Sequence, residues 1–457
     1  MKLLEETLGL AGRVRIGSHE DCLRGFVVQS SGGGMSVRSR LCLVVALSSW
    51  FLMAADWPCW RGPTGMGRTD DKNLPLVWGG KEGTNVRWKA PLPGQGPDQR
   101  TTADHNQSSP VVLGGKVFVT VSYWPGAKAD KAAFPEHHVA CYQASDGKLL
   151  WDTAVEHGPW LLSDLRGGYT APTPAVDPER VYVVFGSAVI AALDHAGKQV
   201  WRKEIVPYKF DVAFASSPVL FEDTVILQCD QVDKGSRLAA YDRKSGEVKW
   251  EAPRPTVSFG HSTPVIATIA GKPVLLVSAS NTLQGVDPNN GKVIWSCAAK
   301  GDTVSPVMGE GLVYCDSGRG GSPGIAVDPT GTGDVSKSKT KWSITVREGF
   351  SSPVISGDFL YRLQNPEFIG CFRLSTGQTL YTERLEGVSA SSSPIATPDG
   401  HIYLASAGKS YVLKAGPKLD ILATNDLGDG SAASPAVADG KLFLKGRKWL
   451  FCVGEMK

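Results

Sequence analysis

Imidazole, carboxylate, guanidinium and aromatic side chains recur in this sequence at one repeated place. They stand just upstream of a small or hydroxyl residue followed by proline. His105 and Asn106 precede Ser109-Pro110, Tyr169 precedes Thr173-Pro174, and Phe214 precedes Ser217-Pro218. His261 precedes Thr263-Pro264, Asp302 precedes Ser305-Pro306, and Glu348 and Phe350 precede Ser352-Pro353. Arg319 and Asn365 occupy a second kind of loop, further along their repeats. Imidazole, carboxylate, guanidinium and aromatic groups gathered at one mouth can hold a polar ligand. As a metal site the set is weak, because His105 and His261 belong to no His/Cys spacing motif. No catalytic residue is assigned and no metal ligand is expected. Gly-x-Ser-x-Gly, the Walker loop, the Rossmann fingerprint and the kinase catalytic loop are all absent. The repeated Ser is therefore a structural residue rather than a nucleophile.

Positioning these residues requires the repeat itself. The hydroxyl-Pro marker occurs eight times, the last two at Ser393-Pro394 and Ser434-Pro435. Successive markers lie 41 to 47 residues apart, except for a first step of 64. After each marker come an apolar run, a Gly-containing turn and a second apolar run. Then follows a block exemplified by Leu238 to Trp250. There an apolar strand reaches Asp242, turns at Gly246 and ends on an aromatic. Asp bonds its own backbone in such a turn, and Gly takes positive φ without a Cβ clash. Copies run Gln143-Gly147-Trp151, Asp194-Gly197-Trp201, Asp287-Gly291-Trp295 and Arg373-Gly377-Tyr381. Asp328 leads to Trp342 through a longer turn, and a degenerate copy spans Lys414 to Leu422.

A period of 40–50 residues with four short strands per unit predicts an all-β, eight-bladed β-propeller of four-stranded antiparallel blades. Proline suits the first residue of the innermost strand, because it has no N–H to give the ladder. The terminal aromatic is expected to wedge between neighbouring blades. The unit after Ser434 stops one strand short, whereas Asn85-Val-Arg-Trp-Lys-Ala resembles a fourth strand with no blade before it. The N-terminal strand carrying Trp88 should therefore complete the last blade and close the ring, removing exposed edges. Tyr123 to His138 and Glu156 to Gly168 are the candidate insertions behind the long first step.

Residues 1–34 carry no repeat features, and Met35 opens a second pattern. Arg38 and Arg40, the apolar run Leu41 to Met53 and Ala54-Ala55 read as a secretory signal peptide. The expected organisation is thus an upstream extension of non-native origin at 1–34, a signal peptide at 35–55, an extended lead-in at 56–84 and the propeller at 85–457. The expected location is periplasmic or secreted, with no transmembrane span in the mature chain. A net charge of +3 with 20% charged residues gives no basis for nucleic-acid binding. Of nine cysteines, Cys141, Cys371 and Cys452 fall where other units have Ala192, Ala240, Gly285 and Ala326, a position that wants a small side chain. Disulfides among Cys59, Cys229, Cys297 and Cys315 stay open.

The block Ala-x-Asp-x-x-x-Gly-Lys-x-x-Trp resembles the tryptophan-docking repeat of the pyrroloquinoline-quinone (PQQ) repeat propellers. Val286 to Trp295 and Ala240 to Trp250 are the nearest copies, and the likeness covers about residues 85–457. That family includes quinoprotein alcohol and glucose dehydrogenases. It also includes BamB-like propellers of the outer-membrane assembly machinery, which bind no quinone. The adjacent-cysteine ring and the Glu/Asn/Asp set for Ca²⁺ that the dehydrogenases carry have no counterpart here. The resemblance therefore implies a binding or scaffold module without a cofactor, its partners being envelope proteins or a polar small ligand, and a monomer. The alternative it leaves is a PQQ-dependent oxidoreductase for alcohols or sugars, with PQQ and Ca²⁺ in the channel.

Overall fold

A computed structural model describes residues 56–210 and 212–456. The extension and signal segment expected at 1–55 lie outside the described residues. Eight sheets form, each built on four antiparallel strands; in the first, Thr101–Ala103 adds a further strand, and in the fourth, Gly333–Asp334 does. The first seven span residues 111–155, 175–204, 219–253, 265–298, 307–345, 354–384 and 395–425. The eighth takes three strands from 436–453 and its outermost strand, Val86–Pro91, from the other end of the chain. There Val86 pairs with Val453 and Trp88 with Cys452. The ring is closed as the sequence predicts.

Each innermost strand starts directly after its marker proline, as at Val111–Leu113 and Val354–Ser356. The hydroxyl before that proline joins blade to blade. The backbone N–H of Ser109 donates to Thr173 Oγ1 at 2.8 Å, that of Thr173 to Ser217 Oγ, and that of Ser217 to Thr263 Oγ1. The series continues through Ser305, Ser352, Ser393 and Ser434. Ser434 N–H then closes on Ser109 Oγ at 3.0 Å. Eight hydroxyls thus satisfy eight buried N–H groups in one ring around the axis.

The outer strands explain the other half of the repeat. In blade after blade the small residue pairs directly with the docking aromatic, as Ala192 with Trp201, Ala240 with Trp250, Gly285 with Trp295 and Cys371 with Tyr381. A register shift follows at each of these pairs, turning the aromatic toward the next blade. A side chain on Gly285 would put its Cβ 2.1 Å from Trp295 Nε1, so the position must stay small. Each indole then lies on the turn glycine of the next blade: Trp88 on Gly147, Trp151 on Gly197, Trp201 on Gly246 and Trp342 on Gly377. Their Nε1 groups donate to the carbonyls of Ala144, His195, Arg243 and Leu374. Trp295 differs because the long turn after Asp328 adds Gly333–Asp334 as a fifth, parallel strand beside it. All seven described cysteines are free, so none of the four left open forms a disulfide.

The lead-in is bound into the ring. Trp57 bridges Val112 of the first blade, and Pro58 accepts from Val176 of the second. Gly67 bonds Ala396 of the seventh blade, and Arg61 Nη2 donates to Pro353 O of the sixth at 2.5 Å. Asn425 at the end of the seventh blade accepts from Trp78 N–H at 2.9 Å. Residues 57–78 therefore run across one end of the axis and stop it.

Candidate functional site

The open end of the axis is a cavity of about 1220 Å³, with six of the eight ring hydroxyls and Trp60 of the lead-in in its lining. Its walls come from the loops between the last strand of one blade and the first of the next, and from loops after second strands. His261, Arg319, Glu348 and Phe350 all line it. Arg319 bridges these groups. Its Nε donates to Asp302 Oδ2 at 2.6 Å, and its guanidinium lies 5.2 Å from the Phe259 ring centroid. Phe210 meets His261 edge-on, with centroids 4.9 Å apart. The His261 N–H donates to Asp302 O at 2.5 Å, tying the two loops. Asp302 itself is buried, which raises its pKa, and the Arg319 charge opposes that rise. Phe350 stands 45% exposed at the mouth.

Two buried ion pairs hold these loops in place. Arg362 grips Asp316 through two bonds of 2.9 and 3.0 Å and also donates to Gly349 O. Asp316 in turn accepts from Gly318 N–H, next to Arg319. Both side chains are fully buried, and so is Asp230, which Arg254 contacts at 2.7 and 2.6 Å. Removing one partner of such a pair leaves an uncompensated buried charge. The loops are therefore preorganised on strands rather than left to solvent.

Not every expected residue reaches this cavity. Asn106 is buried, its Oδ1 accepting from Ser122 N–H and the Thr170 hydroxyl, so it holds a loop. Tyr169 is buried and its hydroxyl accepts from Leu162 N–H. Phe214 packs in the apolar core with Tyr182, Trp201 and Leu227. Asn365 lies after its second strand, half-buried, and its N–H donates to Glu348 O at 2.5 Å. His105 faces a second cavity together with Asp104. The same sequence reasoning missed Trp60, Trp160, Lys209, Phe210 and Phe259, all in the axial lining. Phe210 and Phe259 sit in the same class of loop as the chosen residues, a few positions further from the proline. Trp60 gave no signal, because nothing in the repeat says where the lead-in goes.

Comparison with known proteins adds to this geometry. The family model described as outer membrane protein assembly factor BamB matches residues 135–383. No curated protein matches the sequence. Among solved structures, BamB from Moraxella catarrhalis aligns with a TM-score of 0.55 over 81% of this chain and 98% of its own, at 13% identity. A europium-containing methanol dehydrogenase gives 0.64 over 85% and 89%, at 11% identity. The computationally designed Ika8 protein gives 0.52 over 83% and 99%, also at 11%. At these identities the structural likeness is one of fold.

Proposed function

This chain belongs to the family of PQQ-like repeat β-propellers described by outer membrane protein assembly factor BamB, and from that premise we propose that it is a binding module of the cell envelope. Its loop face receives a protein segment or a polar ligand. One observation carries this reading: the axial cavity is stopped at one end by residues 57–78 and lined at the other by Arg319, His261, Glu348 and Phe350 on braced loops. An aromatic floor with hydroxyls and a few charged groups suits recognition of a group inserted from outside. Export to the periplasm rests on the Met35 to Ala55 segment of the sequence.

The second reading, PQQ-dependent oxidation of alcohols or sugars, asks for a cation beside the quinone. Such an ion takes several converging oxygens. The axial lining supplies one carboxylate, Glu348, while Asp302 is engaged by Arg319. Among the described residues no group of three or more His, Cys, Asp or Glu converges on a metal position. The donor set does not fit that cation, which favours the binding module.

The test places a photo-crosslinking residue at Phe350, and in a control at Leu149 on an outer strand, in cells that make the protein. A discrete envelope adduct at Phe350 and none at Leu149 is expected. No adduct at Phe350, together with dye reduction by alcohols or sugars when PQQ and Ca²⁺ are added to the purified protein, would overturn the reading.

A further inference from the structure

Beside the axial cavity, on the same loop face, lies a second cavity of about 790 Å³. It is built between Thr101–Ala103 of the first blade and the loops of the seventh and eighth. Lys409 stands in the turn between the second and third strands of the seventh blade, and Arg447 and Lys448 in the same turn of the eighth. Consecutive blades thus bring three cations to one wall. The ring geometry makes neighbours of residues that the sequence separates.

These cations differ from those of the axial cavity. There Arg319 is paired with Asp302, Lys209 with Asp233 and Arg166 with Asp164. Among the described residues none of Lys409, Arg447 and Lys448 makes an ion pair. The acid near Lys409, Glu367, is held by Arg384 at 2.9 and 3.2 Å. Asp429 spends one carboxylate oxygen on the N–H groups of Lys448 and Trp449, which fixes their turn. Among the described residues the one carboxylate in the lining, Asp104, is buried and accepts from Tyr169 N–H.

The rest of the lining mixes hydroxyl and amide side chains with glycine and alanine. Ser389, Ser406, Ser431, Thr101 and Thr102 contribute hydroxyls, and among the described residues the apolar side chains of the lining are Ala103 and Ala432. Gly387 gives Lys409 its path: a Cβ there would stand 2.8 Å from Lys409 Cδ. The side chain therefore lies across bare backbone. The volume exceeds what a bare ion needs and falls in the range of about 300–1,000 Å³ usual for small-molecule sites.

The geometry points to an oxyanion site: this cavity binds a sugar-sized polar molecule through a phosphate or sulfate ester, the cations taking the ester oxygens. Charge-assisted bonds of this kind are the strong ones, and although Lys409 lies over the Tyr411 ring at 6.0 Å and feels the Glu367 charge, no direct ion pair among the described residues takes up any of the three. Gln107 and Ala432 line both cavities, so a longer molecule can reach from this site to the axis. The site uses none of the axial charged residues and stands whether or not the axial reading does.

Calorimetric titration of the folded protein with glucose 6-phosphate, glucose 6-sulfate and glucose at low ionic strength tests it. One or both esters bind, glucose does not, and added salt weakens the binding. Binding by one ester alone identifies the source of the oxyanion. The K409Q/R447Q/K448Q variant loses about tenfold or more per cation removed. Lys448→Glu, a reversal at a single exposed position, gives an independent loss. Arg319→Ala leaves ester binding unchanged. Failure of both esters to bind, equal binding by the triple variant, or loss in Arg319→Ala alone overturns the proposal.

Discussion

Removing the Trp88 indole tests how much of this ring depends on docked aromatics. Trp88 is 9% exposed, lies against Gly147 of the first blade and donates to Ala144 O at 3.0 Å. Burying an indole of about 200 Å² at about 25 cal/mol/Å² is worth about 5 kcal/mol gross, and about 3–4 kcal/mol against a partly compact unfolded chain. The hydrogen bond adds about 1 kcal/mol. Trp88→Ala should therefore destabilise by about 4 kcal/mol, as large core truncations do. Trp88→Phe keeps most of the area but removes the donor, and should cost about 1–2 kcal/mol. Trp250→Phe is the control, because Trp250 Nε1 has no hydrogen-bond partner among the described residues, so its cost should be smaller by about 1 kcal/mol. Urea unfolding followed by far-UV circular dichroism, with the slope checked for loss of two-state behaviour, measures all three. A Trp88→Ala loss below about 1 kcal/mol, or equal losses in the two Phe variants, would refute the docking argument.

Three further outcomes follow from buried polar groups. Ser352→Ala leaves the Ser305 N–H without its acceptor and should cost about 1–3 kcal/mol in urea unfolding, whereas Ser352→Thr should be nearly neutral, since Thr173 and Thr263 serve in the same ring. Burial pushes Lys445 down to about 7, while the unfolded chain keeps its proton to a pKa of about 10.4. Stability should therefore rise with pH between those values by up to about 1.4 kcal/mol per unit, and Lys445→Met should flatten that rise in a pH series of unfolding midpoints. Burial also pushes His137 down to about 3, with the charges of His157 and His138 adding to the effect. Acidification below about 6.5 then protonates only the unfolded chain, so stability falls toward pH 3 and His137→Gln should lessen the fall.

Ring closure was legible in the sequence because a repeat makes a missing part visible. Trp88 had an aromatic-bearing strand and no blade, and the Ser434 unit had a blade and no such strand. The need for a small residue at Cys141, Cys371 and Cys452 could be read for the same reason, by comparison with Ala192 and Gly285. The site was legible in part. Position upstream of a proline tells which loop a residue occupies, but not which way its side chain faces. His261, Glu348 and Phe350 face the axis, whereas Asn106 turns back onto the Ser122 backbone and Phe214 into the core. The hydroxyl ring was visible only as a recurring residue, since its hydrogen bonds cross between blades. Lys409, Arg447 and Lys448 gave no signal, because their grouping comes from the angle between two blades and not from spacing along the chain.

The bond from Gly440 N–H to Asp71 spans 369 residues, and Val86–Pro91 pairs with Trp449–Val453. On a ribosome, the segment made early must wait for almost the whole polypeptide before its partner emerges. Until then a nascent arc of seven complete blades carries two open flanks, each able to pair with another molecule. Closing so large a loop late costs entropy before it returns contacts. Assembly of this ring is thus a single final event. Any stalled or clipped chain lacking its last strand remains an open arc whose adhesive flanks a chaperone would have to cover.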